Sequence, residues 1–168
     1  MVISHLISPE QDAFVKGRSI FENVTLTQEM TKMLHTKVRR GNVILKIDMS
    51  KAYDRVEWKF VDQTLHAFGF PDFFCKMIHN CITTPWFSVM MHGTFKGFFK
   101  SKRGLRYGDP ISLYLFILME DILSKMINKE MSEKHIFPFS HPSGAPVIYH
   151  LLYADDIVIF ATASKMST

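Results

Sequence analysis

A chain of 168 residues with 47% hydrophobic and 21% charged residues has the material for one folded domain and is too apolar for an unstructured tail. A formal charge of +4 permits a polyanionic partner without requiring one. Cys75 and Cys81 lack metal-type spacing and make no disulfide framework, which favours a reducing compartment, and the longest wholly apolar run, Leu113 to Met119, is too short to span a bilayer.

Residues 1–18 are mixed in character and read as irregular. Lys16-Gly17-Arg18 sets two cations around a flexible glycine, a loop suited to phosphate or to plain solvation. The spacing of Ile20, Val24, Thr27, Met30, Thr31 and Leu34 predicts a helix over Ser19 to Arg40. Its Lys37-Val38-Arg39-Arg40 end suits the helix dipole, or nucleic acid, and Gly41-Asn42 ends it. Val43 to Asp48 has the pattern of a buried strand finishing on an acid. Asp48 can cap the following turn or join other carboxylates across a sheet.

A short helical turn follows over Ser50 to Tyr53, then a helix from Glu57 to Phe68, broken by Gly69-Phe70-Pro71. Asp72 to Cys81 reads as another helix. Trp86–Met91 and Phe95–Lys100 flank His92-Gly93-Thr94 as a hairpin. Lys96, Lys100, Lys102, Arg103 and Arg106 follow one another with no acid between them, interleaved at first with Phe95, Phe98 and Phe99. Such a ribbon suits a phosphate backbone, or a solvated edge that resists aggregation. Asp109 and Pro110 can open a helix running from Ile111 to about Lys129. Its inner stripe is Leu115, Phe116, Met119, Ile122, Leu123, Met126 and Ile127, with Glu120 and Asp121 facing outward.

After a Ser/His/Pro/Gly loop over 131–145, Pro146 to Tyr153 and Ile157 to Phe160 read as a second hairpin, with Asp155 and Asp156 at its tip. Side-by-side carboxylates repel, and either a hard cation or open solvent relieves them. The order of elements predicts an α+β fold, a small antiparallel sheet with helices packed on one face. The part from Val43 onward matches a ferredoxin-like split arrangement, in which the first and last strands are central neighbours. Asp48, Asp155 and Asp156 would then meet, which raises the metal reading above the solvated turn.

These residues also carry a resemblance. Ile44-Leu45-Lys46-Ile47-Asp48-Met49-Ser50-Lys51-Ala52-Tyr53-Asp54-Arg55-Val56-Glu57-Trp58, Arg103-Gly104-Leu105-Arg106-Tyr107-Gly108-Asp109-Pro110-Ile111-Ser112 and Tyr153-Ala154-Asp155-Asp156 are similar to successive blocks of the reverse transcriptase domain of non-long-terminal-repeat retrotransposons, plant versions in particular. Upstream, Gln11-Asp12-Ala13-Phe14-Val15-Lys16-Gly17-Arg18-Ser19-Ile20 resembles a fingers segment. Four blocks in the family's order are far more specific than Tyr-Ala-Asp-Asp alone. The resemblance implies one domain over 1–168, with partial fingers over 1–42, a palm over 43–168 and no thumb.

It further implies RNA-directed DNA polymerisation in the nucleus, with an RNA template, a DNA primer and deoxynucleoside triphosphates as partners and no membrane. Asp48, Asp155 and Asp156 would hold two magnesium (or manganese) ions, about 3.5–4 Å apart, with Asp155 the more direct ligand. Tyr53 would act as a gate against a 2′-hydroxyl, Arg18 would meet the triphosphate, and Tyr107 and Gly108 would lie beside the nucleotide. Lys96, Lys100, Lys102, Arg103 and Arg106 would contact nucleic acid. Two departures stand out: Tyr107 where the family has Gln, and Leu113 where it has Pro. They leave open a degenerate, inactive remnant. A metal-independent nucleic-acid-binding module is the third reading.

Overall fold

Strand β1 (Asn42–Asp48) runs antiparallel to β5 (Asp156–Thr162), and β5 pairs on its other side with β4 (His150–Tyr153). The computed structural model describes residues 6–15, 17–35, 41–141, 144 and 147–163. Lys16 and the basic segment 36–40 lie outside the described residues, as does the start predicted for the last hairpin at Pro146.

The chain divides into two units. The first comprises Met1–Ser50 and Glu120–Thr168, the second Lys51–Met119. Helix α5 (Pro110–Ser132) contributes to both.

In the first unit the three-stranded sheet is covered on both faces, not on the one expected. Residues paired across a ladder share a face, and faces alternate along each strand. Ile44, Leu151, Val158 and Phe160 pack with Met30 of helix α1 (Ile20–Lys32) and with Phe139. Leu152, Ile157 and Ala161 pack on the opposite face with Ile127 and Met131 of α5. Burial on both faces explains why β4 and β5 read as near-continuous apolar runs. A 3-10 turn, Met33–His35, follows α1.

The second unit holds helices α2 (Ala52–Arg55), α3 (Trp58–Ala67) and α4 (Asp72–Thr83), the hairpin of β2 (Trp86–Met91) and β3 (Thr94–Lys100), and the start of α5. Helix α3 buries Val61, Thr64 and Leu65, and α4 buries Cys75, Ile78 and Ile82. Gly69, at φ 77°, stops α3 in the left-handed region that glycine adopts without strain. The β2–β3 hairpin forms a two-stranded sheet of its own. The α+β class and the β1–β5 pairing therefore match expectation, while the ferredoxin-like single sheet does not: the hairpin's strands bond only to each other.

Helix α5 departs from its predicted stripe. Leu115, Phe116, Ile117, Leu118 and Met119 are all buried in succession, whereas Met126 is exposed. Glu120 and Asp121, expected to face outward, are 3% and 0% exposed. The reason is the N-terminal segment. Gln11 Nε2 donates to Glu120 Oε2 at 2.7 Å, and the Ser8 amide donates to Asp121 Oδ1 at 2.6 Å. No helix among the described residues is long and apolar enough to cross a membrane.

Candidate active site

Asp48 is the last residue of β1 and stands opposite Asp156, the first residue of β5. Directly opposed residues have Cβ atoms about 4.5–5.5 Å apart, so register alone brings these carboxylates together. Asp156 also pairs with Tyr153, which leaves Ala154 and Asp155 as a two-residue turn. Asp156 thus begins the strand and is not at the tip; only Asp155 is in the turn. Ala154 takes φ 56°, a conformation uncommon for a side chain other than glycine. The Met49 amide donates to the Asp155 carbonyl at 2.9 Å and ties the chain after Asp48 to the turn.

The three predicted acids are therefore assembled in one place. Asp48 and Asp155 are exposed and Asp156 is half-buried. Oxygen-only donors open to solvent suit a hard divalent cation. Their carboxylates do not all approach within 4.8 Å of one another; among the described residues only Glu130, Glu133 and His135 do. A cation already attends the acids: Lys46 Nζ lies 2.8 Å from Asp156 Oδ2. Lys46 shares a face with Asp48 and Asp156 because residues two apart on a strand point the same way. Its hydrogen bond to Asp156 comes first among the causes that raise its pKa, and the charges of Asp156, Asp48 and Asp155 add to it.

Several supports of this hairpin escaped sequence reasoning. The Tyr153 hydroxyl donates to the Asn23 carbonyl and shares a hydrogen bond with Thr27, both on α1. The Leu152 amide donates to the Glu10 carbonyl at 3.1 Å, and Gln11 bridges β4 in parallel. Behind the strand, His150 Nε2 meets Ser124 Oγ of α5 at 2.7 Å. Burial lowers the His150 pKa, so the ring is neutral at pH 7. Burial also pushes Glu120 up to about 8, with the Gln11 hydrogen bond opposing and the Asp155 charge reinforcing the shift. Only Lys46 had a usable signal in the sequence, its place two residues before Asp48.

Arg18, expected to meet the triphosphate, is held by backbone carbonyls of its own segment. Its guanidinium donates to the carbonyls of Ser8, Gln11 and Ile7, so it organises the N-terminal loop.

In the second unit, the loop over 103–108 is bonded to the turn that carries Tyr53. The Gly104 amide donates to Val56 at 2.8 Å and the Leu105 amide to Tyr53 at 2.9 Å. Trp58 Nε1 donates to the Gly104 carbonyl at 2.8 Å. Tyr53 stacks on Phe116 at 4.6 Å and meets Tyr107 edge-on at 5.8 Å. Tyr107 itself is 93% exposed, and Gly108, at φ 80°, has no atom within 4 Å of the Cβ it lacks. As predicted, Asp109 caps α5, accepting from the Ile111 amide at 3.0 Å. Arg103, Arg106 and Tyr107 line a cleft of about 620 Å³ with Asp54, Phe87 and Phe99. Lys96 and Lys100 lie on β3, and Lys102 just beyond it, all exposed.

Comparison with known families places these blocks together. The family described as reverse transcriptase (RNA-dependent DNA polymerase) matches residues 1–166. The chain belongs to the reverse transcriptase family. Among its relatives is the Pol polyprotein from the type-2 retrotransposable element R2DM of Drosophila melanogaster, 29% identical over 153 residues. Another is the transposon TX1 149 kDa protein of Xenopus laevis, 28% identical over 162 residues. These cover 91% and 95% of the chain but only 14% and 12% of the relatives, so the chain spans a small part of the proteins it matches. Apo telomerase from Candida tropicalis shares the fold, with a TM-score of 0.60 at 16% identity, over 88% of this chain and 29% of that one.

Proposed function

We propose that this chain is the catalytic part of an RNA-directed DNA polymerase, extending a DNA primer with deoxynucleotides along an RNA template. The observation that carries this reading is the opposition of Asp48 and Asp156 across β1 and β5, with Asp155 in the adjoining turn. Reverse transcriptases use divalent metal ions. Here Asp48, Asp155 and Asp156 would hold two, with magnesium the proposed species. When bound, such ions supply charge that acidifies a primer 3′-hydroxyl and offsets the negative charge of the leaving pyrophosphate. The protein's own part is to fix the three carboxylates and to position the reactants. Tyr53 would discriminate against the ribose 2′-hydroxyl, and Gly108 would let backbone approach the nascent base pair. Basic residues of the hairpin and the following loop would bind nucleic-acid phosphates.

The test is primer extension on an RNA template with magnesium and deoxynucleotides. Asp155→Asn should abolish extension; unchanged extension by that variant would overturn the site assignment. A second reading, a decayed and inactive copy, is favoured by Tyr107 and Leu113, the two departures from the family pattern. Extension only after Tyr107→Gln and Leu113→Pro would establish it.

A further inference from the structure

The β2–β3 hairpin keeps large aromatic side chains in water on purpose-built backbone. His92 and Gly93 turn it with φ values of 48° and 75°. Between the Phe87–Phe99 and Val89–Lys96 pairs, β3 has two residues, Gly97 and Phe98, against Ser88 alone. Gly97, at φ 71°, forms the bulge, the kind of irregularity that re-aims neighbouring side chains. Beyond it Phe98 lies parallel to Trp86, with centroids 4.7 Å apart and planes within 9°. Lys100, directly opposite Trp86, holds its ammonium 5.1 Å from the indole centre. Trp86 is 54% exposed and Phe98 73%.

Along the sequence around the hairpin the charge is of one sign. No acid occurs from Phe73 to Gly108, while Lys76, Lys96, Lys100, Lys102, Arg103 and Arg106 all do. Arg106 is paired with Asp109 at 2.7 Å, and Lys96, Lys100, Lys102 and Arg103 form no salt bridge with a described residue. Of these cations Lys100 stands at the Trp86 ring itself, which suits an anionic partner better than an apolar copy of the same face. Exposed stacked rings bordered by cations are the elements by which unpaired nucleic acid is held, bases on the rings and phosphates on the charges.

We infer that Trp86 and Phe98, bordered by Lys100, form a stacking platform for an unpaired base of a single-stranded nucleic acid. The inference extends the polymerase reading, since the strand it would hold is template that has not yet been copied. A duplex, whose bases are already stacked on each other, offers the platform nothing but phosphate.

Tryptophan emission of the full chain, titrated with a uridine oligonucleotide and with a duplex RNA of equal length, tests this without metal or nucleotides. Single strand should quench emission and bind with a dissociation constant that rises with salt. Trp86→Leu, read by the anisotropy of a dye-labelled uridine oligonucleotide as are the other variants, should weaken single-strand binding about five-fold or more while keeping the salt slope. Trp86→Phe should keep the affinity but lose the quench, because Trp58 is engaged with Gly104. Lys100→Ala should lower the salt slope instead. Equal quenching by duplex, or wild-type affinity in both Trp86→Leu and Phe98→Ala, would overturn the platform. So would sedimentation showing a dimer that Trp86→Leu dissociates while RNA affinity stays unchanged. Binding that fits these expectations without any primer extension would count against the polymerase reading alone.

Discussion

The ammonium of Lys46 sits 2.8 Å from the Asp156 carboxylate, diagonally across the β1–β5 ladder and on the face that carries Asp48. A fixed cation therefore occupies one carboxylate that a metal would use. The two cannot both neutralise Asp156 fully, so Lys46 should compete with the ion. We predict that Lys46→Met tightens divalent-cation binding about two- to five-fold, the range expected for an exposed ion pair. Titration with manganese followed by electron paramagnetic resonance reads this directly. Weaker binding in the variant would mean that Lys46 helps to hold the acids in place.

Glu120 makes stability depend on pH. Its folded pKa, about 8, lies above the ordinary 4.5, so the folded chain holds a proton that the unfolded chain releases. Stability on this account is complete below pH 4.5, falls as pH rises from there to 8, and is flat above. His150 has the opposite sign: its pKa is lowered from 6.5, so acid below 6.5 destabilises the fold. Glu120→Gln, an amide in place of the protonated acid, should remove the alkaline loss and leave the His150 limb. Urea midpoints at pH 5.5, 7 and 8.5 would show it. The variant should gain on the order of 1 kcal/mol or more over wild type at the highest pH. Parallel curves for the two proteins would refute the assignment.

Among the described glycines, Gly104 is the most closely approached. A Cβ there would stand 3.1 Å from the Asp54 carbonyl oxygen and 3.2 Å from that of Tyr53, at a φ of 91°. Backbone atoms cannot move aside as a side-chain end can. Gly104→Ala should destabilise by about 1–3 kcal/mol through strain and the displaced Gly104 and Leu105 hydrogen bonds. At Gly108 the same change meets open space and should cost less, through φ alone. Thermal unfolding of both variants gives the comparison.

Tyr153 anchors the acidic hairpin to α1 through its hydroxyl. Tyr153→Phe keeps the ring and leaves the buried Asn23 carbonyl without that donor, a loss of about 1–2 kcal/mol. If the anchor also positions Asp155 and Asp156, manganese affinity should fall in the same variant; affinity equal to wild type would confine Tyr153 to stability.

The strands, the long helix and the three acids could be read from the sequence because each is written in a local pattern. Val43 to Asp48 and Leu151 to Phe160 are apolar runs of strand length, and Asp109-Pro110 is a helix start of recognisable chemistry. Glu120 and Asp121 could not be read in this way. Helical spacing puts them beside the apolar stripe, and besides Lys125, which pairs with Asp121 at 2.7 Å, it is Ser8 and Gln11, more than a hundred residues away, that make their burial tolerable. The carbonyl contacts of Arg18 were hidden for the same reason, since backbone acceptors leave no trace in residue identity. The two-faced covering of the sheet was hidden because α1 and α5 each show a single inner stripe and neither says which side of the strands it meets.

The central strand of the three-stranded sheet is the one made last. Until β5 emerges, β1 and β4 have no ladder to join in that sheet, and Asp48 has no opposing carboxylate. Helices α3 and α4 and the β2–β3 hairpin need only near neighbours and can form while synthesis continues. Closing β1 onto β5 spans most of the chain, a slow event beside local turns. Like charge is thus brought together only once β5 is made, when packing on both faces is available to hold it. A chain truncated before Asp156 would keep the means to form its helices and hairpin but would have no concentrated acidic site.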